Sequence, residues 1–129
     1  MKLDTKHQVL LALYIEYQKD LPKMSEVTCE KLNMDVDIFN MALKKLSTER
    51  YIEGLNIFAA DNDEFYSVSA DDVYLTHEGI TYVEAVMGIK KELTSTDKMK
   101  YIIKKCGVHG LQALKIFAVN ALSHIGDVF

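Results

Sequence analysis

The spacing of the apolar residues changes twice along the chain, and those two changes limit what it can fold into. Up to Tyr51 they recur at helical intervals; over YIEGLNIFAADNDEFYSVSADDVYL they come closer to alternating; from Thr76 helical spacing returns. A helical block, a β-rich insert and a second helical block predict an α+β, mainly α chain.

Within the first block, Leu3, His7, Leu10, Leu11, Tyr14 and Ile15 share a helical face, and Pro22 predicts the end of a helix that runs from about Asp4 to Lys19. Ser25 is placed to cap a short second helix over SEVTCEKL, with Val27 and Leu32 as apolar contacts, and Asn33-Met34 reads as a turn before a new cap at Asp35. The third helix spans Val36 to about Arg50. At 100° per residue, Phe39, Ala42, Leu43 and Leu46 fall on one arc and should face the core. Opposite them lie Asp37, Met41, Lys44 and Thr48, flanked by Asn40 and Lys45.

In the insert, Ile52 to Phe58 and Phe65 to Ser69 flank the turn cluster Asp61-Asn62-Asp63 and predict a hairpin, with Val73 to Leu75 as a third short strand. Thr76 then caps a helix from His77 to Met87 with Ile80, Val83 and Val86/Met87 inside, and Gly88 suits the residue after its end. Ser95 or Thr96 starts a further helix burying Met99, Ile102, Ile103 and Cys106, which Gly107 should end. Gly110 precedes a last helix, LQALKIFAVNALSHI. The expected organisation is a domain over residues 1–90 and a two-helix C-terminal extension over residues 91–129.

With 129 residues, 49% hydrophobic and 26% charged, the composition excludes a disordered tail, a collagen-like fibre and a multidomain enzyme. No apolar run approaches the ~18 to 20 residues a membrane span needs, and Asp4 and Glu16 interrupt the apolar start, so a soluble, cytoplasmic chain with no membrane partner is expected. Cys29 and Cys106 have no CxxC-type partner, which suggests buried thiols rather than a zinc site or a disulfide framework.

Two stretches carry a resemblance: DVDIFNMALKKLSTERYIEGL, a helix running into a "YI-G" strand, and VYLTHEGITYVEAV, with an "LT-x-x-G-x-x-Y" pattern. Over roughly residues 3 to 88 the chain resembles the winged helix-turn-helix domains, and among them the small YjcQ-like proteins of low-GC Gram-positive bacteria and their phages. The resemblance implies a scaffold of DNA-binding type in which the second helix of the pair enters the major groove and a hairpin wing touches the backbone. Carried onto this sequence, the reading face is Asp37, Asn40, Met41, Lys44, Lys45 and Thr48. Asn40 would pair with adenine and Lys44 with guanine, while Lys45 and Thr48 hold phosphates.

Charge complicates that picture. The chain has a net charge of -4, where a non-specific coat for nucleic acid would be basic. Residues 52–75 contain Glu53, Asp61, Asp63, Glu64, Asp71 and Asp72 with no Lys or Arg, so the wing should repel phosphate. Asp61, Asp63 and Asp72 occupy positions 1, 3 and 12 of a possible calcium loop, but Phe65 and Tyr66 stand where a ligand and a glycine are needed, so no metal site is expected. Cys106 and His109 share no helical face, and no phosphate-cradling loop or carboxylate pair occurs. No catalytic residues and no cofactor are expected.

The last helix has an unusually wide apolar arc of Leu111, Leu114, Phe117, Ala118, Ala121, Leu122 and Ile125, with Ile116 and Val119 outside its centre. Such an excess suggests a homodimer interface, the alternative being burial within the monomer. Two functions remain open. One is a dimeric, non-catalytic transcriptional regulator, of bacterial or phage origin, that binds double-stranded DNA. The other is an interaction module on the same scaffold, contacting a host or phage protein through Met41 and the acidic hairpin.

Overall fold

The computed structural model describes residues 3–59 and 66–126. It is an α+β, mainly helical structure: five helices, α1 (Thr5–Tyr17), α2 (Val36–Thr48), α3 (His77–Met87), α4 (Ser95–Val108) and α5 (Gln112–Leu122), and four short strands, β1 (Ile52–Glu53), β2 (Asn56–Ala59), β3 (Tyr66–Ser69) and β4 (Tyr74–Leu75). The arrangement is consistent with a winged-helix-like fold.

α1 begins where Asp4 caps it, its Oδ1 accepting from His7 N at 2.9 Å. One apolar face was expected, yet all eight residues from Val9 to Glu16 are buried. A helix that is apolar nearly all round needs cover on every side. It packs against α2, α3, α5 and β4, and the core that forms around it draws on both segments of the chain, from Leu3 to Ile125.

The expected second helix is not an α-helix. A 3-10 turn over Met24–Glu26 leads into further turns that end at Asn33, whose φ is 54°. Local side-chain bonds outcompete helical ones here: Glu16 Oε2 accepts from Lys23 N at 2.9 Å and Thr28 Oγ1 from Lys31 N at 3.2 Å. Met24, Val27 and Leu32 are buried all the same, so the segment keeps the apolar contacts expected of a helix without its backbone.

The first expected strand is broken in two. β1 pairs antiparallel with β4 (Ile52 with Leu75), and β2 pairs with β3 (Asn56 with Ser69 through Ala59 with Tyr66). Gly54 makes the break, with φ of 85° and a backbone so close to Asp72 that a Cβ would lie 2.1 Å from the Asp72 carbonyl oxygen. The turn expected at Asp61-Asn62-Asp63 lies outside the described residues. At the far end of the chain, Gly107 sits inside α4, and it is Gly110, at φ 69°, that follows the helix end.

Candidate functional site

α2 is held by both its ends. Asp35 Oδ1 accepts from Asp37 N at 2.9 Å and from Ile38 N at 3.3 Å, and beyond Thr48 the chain turns through Arg50, at φ 64°, so that Tyr51 N donates to Leu46 O at 3.0 Å. Phe39, Ala42, Leu43 and Leu46 are its buried residues. Of the six residues expected on the opposite face, Asp37, Met41, Lys44, Lys45 and Thr48 are exposed and Asn40 is half-buried.

A hollow flanks α2 on each side. One, of about 450 Å³, is lined by Asp4, Thr5 and Lys6 together with Asp37, Met41 and Lys45. The other, of about 280 Å³, lies between Asn40, the turn around Cys29 and β3. The helix therefore projects as a ridge, with charge graded along it. Asp35 and Asp37 hold the N-terminal end, where a bare helix would attract anions, so any phosphate is left to Lys44 and Lys45 in the C-terminal half. Lys6 pairs with Glu49 at 2.7 Å, and the Thr48 hydroxyl donates back to Lys44 O at 3.0 Å.

Sequence reasoning missed part of this ridge. Val36 and Ile38 are both 52% exposed and, with Met41 at 40%, give the N-terminal half of α2 an apolar border. The signal was available, because both residues fall off the core arc on the helical wheel. The hairpin adds Ile57 and Phe58, also exposed. Two of its described carboxylates are tied to neighbours: Glu53 accepts from Tyr74 Oη at 2.6 Å, and Asp72 Oδ2 accepts from Asn56 Nδ2 at 3.2 Å. Asp61, Asp63 and Glu64 lie outside the described residues.

The residues expected at a dimer interface lie elsewhere than on an open face. Leu114, Phe117, Ala118, Ala121 and Ile125 are buried within the chain itself, and Leu111 and Leu122 are half-buried against the same core. α5 packs on α4 and α1, so the wide arc covers two neighbours at once. The large apolar residues that α5 leaves in solvent are Ile116 and Val119.

The motif residues converge on one junction. Thr76 Oγ1 accepts from Gly79 N at 3.0 Å, capping α3, and bonds the carbonyl oxygens of Arg50 (2.8 Å) and Tyr51 (3.1 Å). Gly79 is pressed against Tyr51, whose carbonyl oxygen would sit 2.2 Å from a Cβ there. Tyr51 and Tyr82 stack with ring centroids 4.6 Å apart, and Tyr82 Oη shares a hydrogen bond of 2.7 Å with His7 Nε2. Both recognisable patterns thus encode the joint between α2, the β1/β4 pair and α3.

Neither cysteine is set up as a nucleophile. Burial pushes the Cys106 thiol up to about 11, and burial with a hydrogen bond to Glu30 raises that of Cys29. Among the described residues no group of three or more His, Cys, Asp or Glu could hold a metal ion, and no helix is long and apolar enough to cross a membrane. In comparisons with known proteins, the family model described as YjcQ protein matches residues 7–104. No curated protein and no solved structure gives a match.

Proposed function

This chain belongs to the YjcQ protein family, and from that premise we propose that it is a non-catalytic, winged-helix-type DNA-binding regulator that presents α2 to the major groove. The observation that carries this reading is the ridge itself. α2 is capped at both ends, buried on one arc, and open on the other between two hollows. A helix must project in this way to enter a groove. In this role Asn40 and Lys44 meet base edges, Lys45 and Thr48 meet phosphates, and the acidic hairpin stays off the backbone. A dimer, which would double the weak electrostatic contribution, has Ile116 and Val119 to use.

The test is fluorescence anisotropy against a library of host and phage promoter fragments at about 50 mM salt, a range in which backbone contacts still contribute strongly. Lys44→Ala with Lys45→Ala should weaken binding at least tenfold and flatten its salt dependence. Asp37→Asn should strengthen it. No binding to any fragment would sink the proposal.

A second reading has its own observation. Val36, Ile38 and Met41 on α2 and Ile57 and Phe58 on β2 are exposed, which favours a protein partner over a polar duplex. In that reading Ile38→Glu removes partner binding, whereas Lys44→Ala leaves it intact.

A further inference from the structure

One large hollow has a built polar floor that nothing in the DNA-binding reading uses. It is a cleft of about 760 Å³ where the C-terminal end of α1, one face of α3 and the start of α4 meet. That volume falls within the range of small-molecule sites. At its floor Glu84 Oε2 accepts from Tyr14 Oη at 2.8 Å and from Lys98 Nζ at 3.0 Å, and the Glu84 and Lys98 side chains are only 12% and 14% exposed. Beside them Ser95 Oγ donates to Gln18 Oε1 at 2.9 Å, and Gln18 is itself buried.

A nearly buried ion pair is a doubtful source of stability, because desolvation offsets most of the attraction. An apolar pair would join the three helices as well. Both of these bonds to Glu84 fall on Oε2 rather than Oε1. The carboxylate therefore keeps an acceptor for a ligand donor. With His77 counted as neutral, the charged lining balances: Glu84 and Glu92 against Lys91 and Lys98. Apolar surface completes the wall, with Tyr17 46% exposed and Ile80 and Ile89 beside it.

A neutral lining that presents both signs disfavours a ligand of single charge and suits one with both poles. We propose that this cleft binds a small zwitterion with an apolar side chain, the chemistry of an apolar amino acid or a short apolar peptide. The ligand's ammonium donates to Glu84, its carboxylate faces Lys91, and its side chain lies against Tyr17 and Ile80.

The experiment is a ¹H–¹⁵N correlation titration of the intact chain with L-leucine and L-leucyl-L-leucine. Isovalerate and isoamylamine, which carry one pole each, serve as controls. The expected result is saturable movement of the Thr81, Glu84 and Ser95 amides with one or both zwitterions, and at least tenfold weaker binding of either control. Equal binding of isoamylamine would reduce the site to a general cation contact and overturn the proposal, as would no movement with either zwitterion at about 10 mM, beyond even weak millimolar affinity. Glu84→Gln alone strands Lys98 and risks the fold, so the variants are Tyr17→Ala, Lys91→Ala and the double change Glu84→Gln with Lys98→Met. Each should weaken binding at least fivefold while the remaining amide spectrum is retained. Unchanged affinity in all three would also overturn the proposal.

Discussion

The junction of residues 50–54 with 74–82 and the outer face of α2 lie side by side in the chain, and both belong to its recognisable stretches, yet they are held by opposite means. At the junction five motif residues are each fixed by a neighbour. Gly54 and Gly79 face carbonyl oxygens that leave no room for a Cβ, Thr76 bonds three backbone groups, and Tyr51 and Tyr82 stack. On α2 the exposed Asp37, Met41 and Lys45 line an open hollow. The contrast teaches that what makes the chain recognisable is a joint, and that the surface proposed for binding sits where packing imposes little. Resemblance carried on such a motif transfers the fold firmly and the function weakly.

Substitutions can break or sharpen that contrast. The sharpest test is Gly79→Ala, which drives a methyl group into the Tyr51 carbonyl and should cost about 3 to 4 kcal/mol by chemical denaturation. A tolerated alanine would mean that the junction is not the tight joint described. Next, Thr76→Val strands the Gly79 N–H and removes a donor from two carbonyls, for a loss of ~1 to 3 kcal/mol. Asp35→Ala removes only the cap of α2, and about 0.5 to 2 kcal/mol should go with it. On the open face, Lys44→Ala with Lys45→Ala should shift stability by no more than ~0.5 kcal/mol. A larger loss would show that this face is shaped by packing after all.

The smallest expected effect is acid-dependent. Asp4 accepts the His7 backbone N–H, which holds its carboxyl below the usual 3.8. A group with a lowered folded value stabilises the fold above 3.8 and loses that contribution as the pH falls through the folded value. Wild type should therefore lose slightly more stability than Asp4→Asn between about pH 4 and pH 2, read by thermal unfolding. Because the Asp4 side chain is 64% exposed, solvent screens the effect.

Legibility in the sequence followed the same divide. The core arc of α2, the cap at Thr76 and the break at Gly88 were readable, because each rests on local spacing or on one residue's backbone preference. The failures came where side-chain bonds or distant contacts override the local spacing. SEVTCEKL has helical spacing, but Glu16, Thr28 and the left-handed Asn33 hold it as turns. The helical spacing of Leu3, His7, Leu10, Leu11, Tyr14 and Ile15 marks only one face of α1, although the unbroken run VLLALYI carries the signal of a helix with no solvent side. The excess apolar arc of α5 was read as a surface for a second copy, when its position between α1 and α4 accounts for most of it. The cleft at Glu84 could not have been found by spacing, since Tyr14, Glu84 and Lys98 come from three separate helices.

The position of α1 at the centre also has a consequence for the order of events during synthesis. Its run of buried residues is synthesised well before α5, which covers one of its sides; Asp20, just beyond α1, and Gly126 are linked across 106 positions. At ~5 to 20 residues per second, the apolar run waits on the order of ten seconds for its last cover. During that interval VLLALYI is a nascent segment with nowhere to hide. α1 therefore cannot gain its full cover until α5 has been made and has docked, and until then the run depends on whatever shields exposed apolar segments.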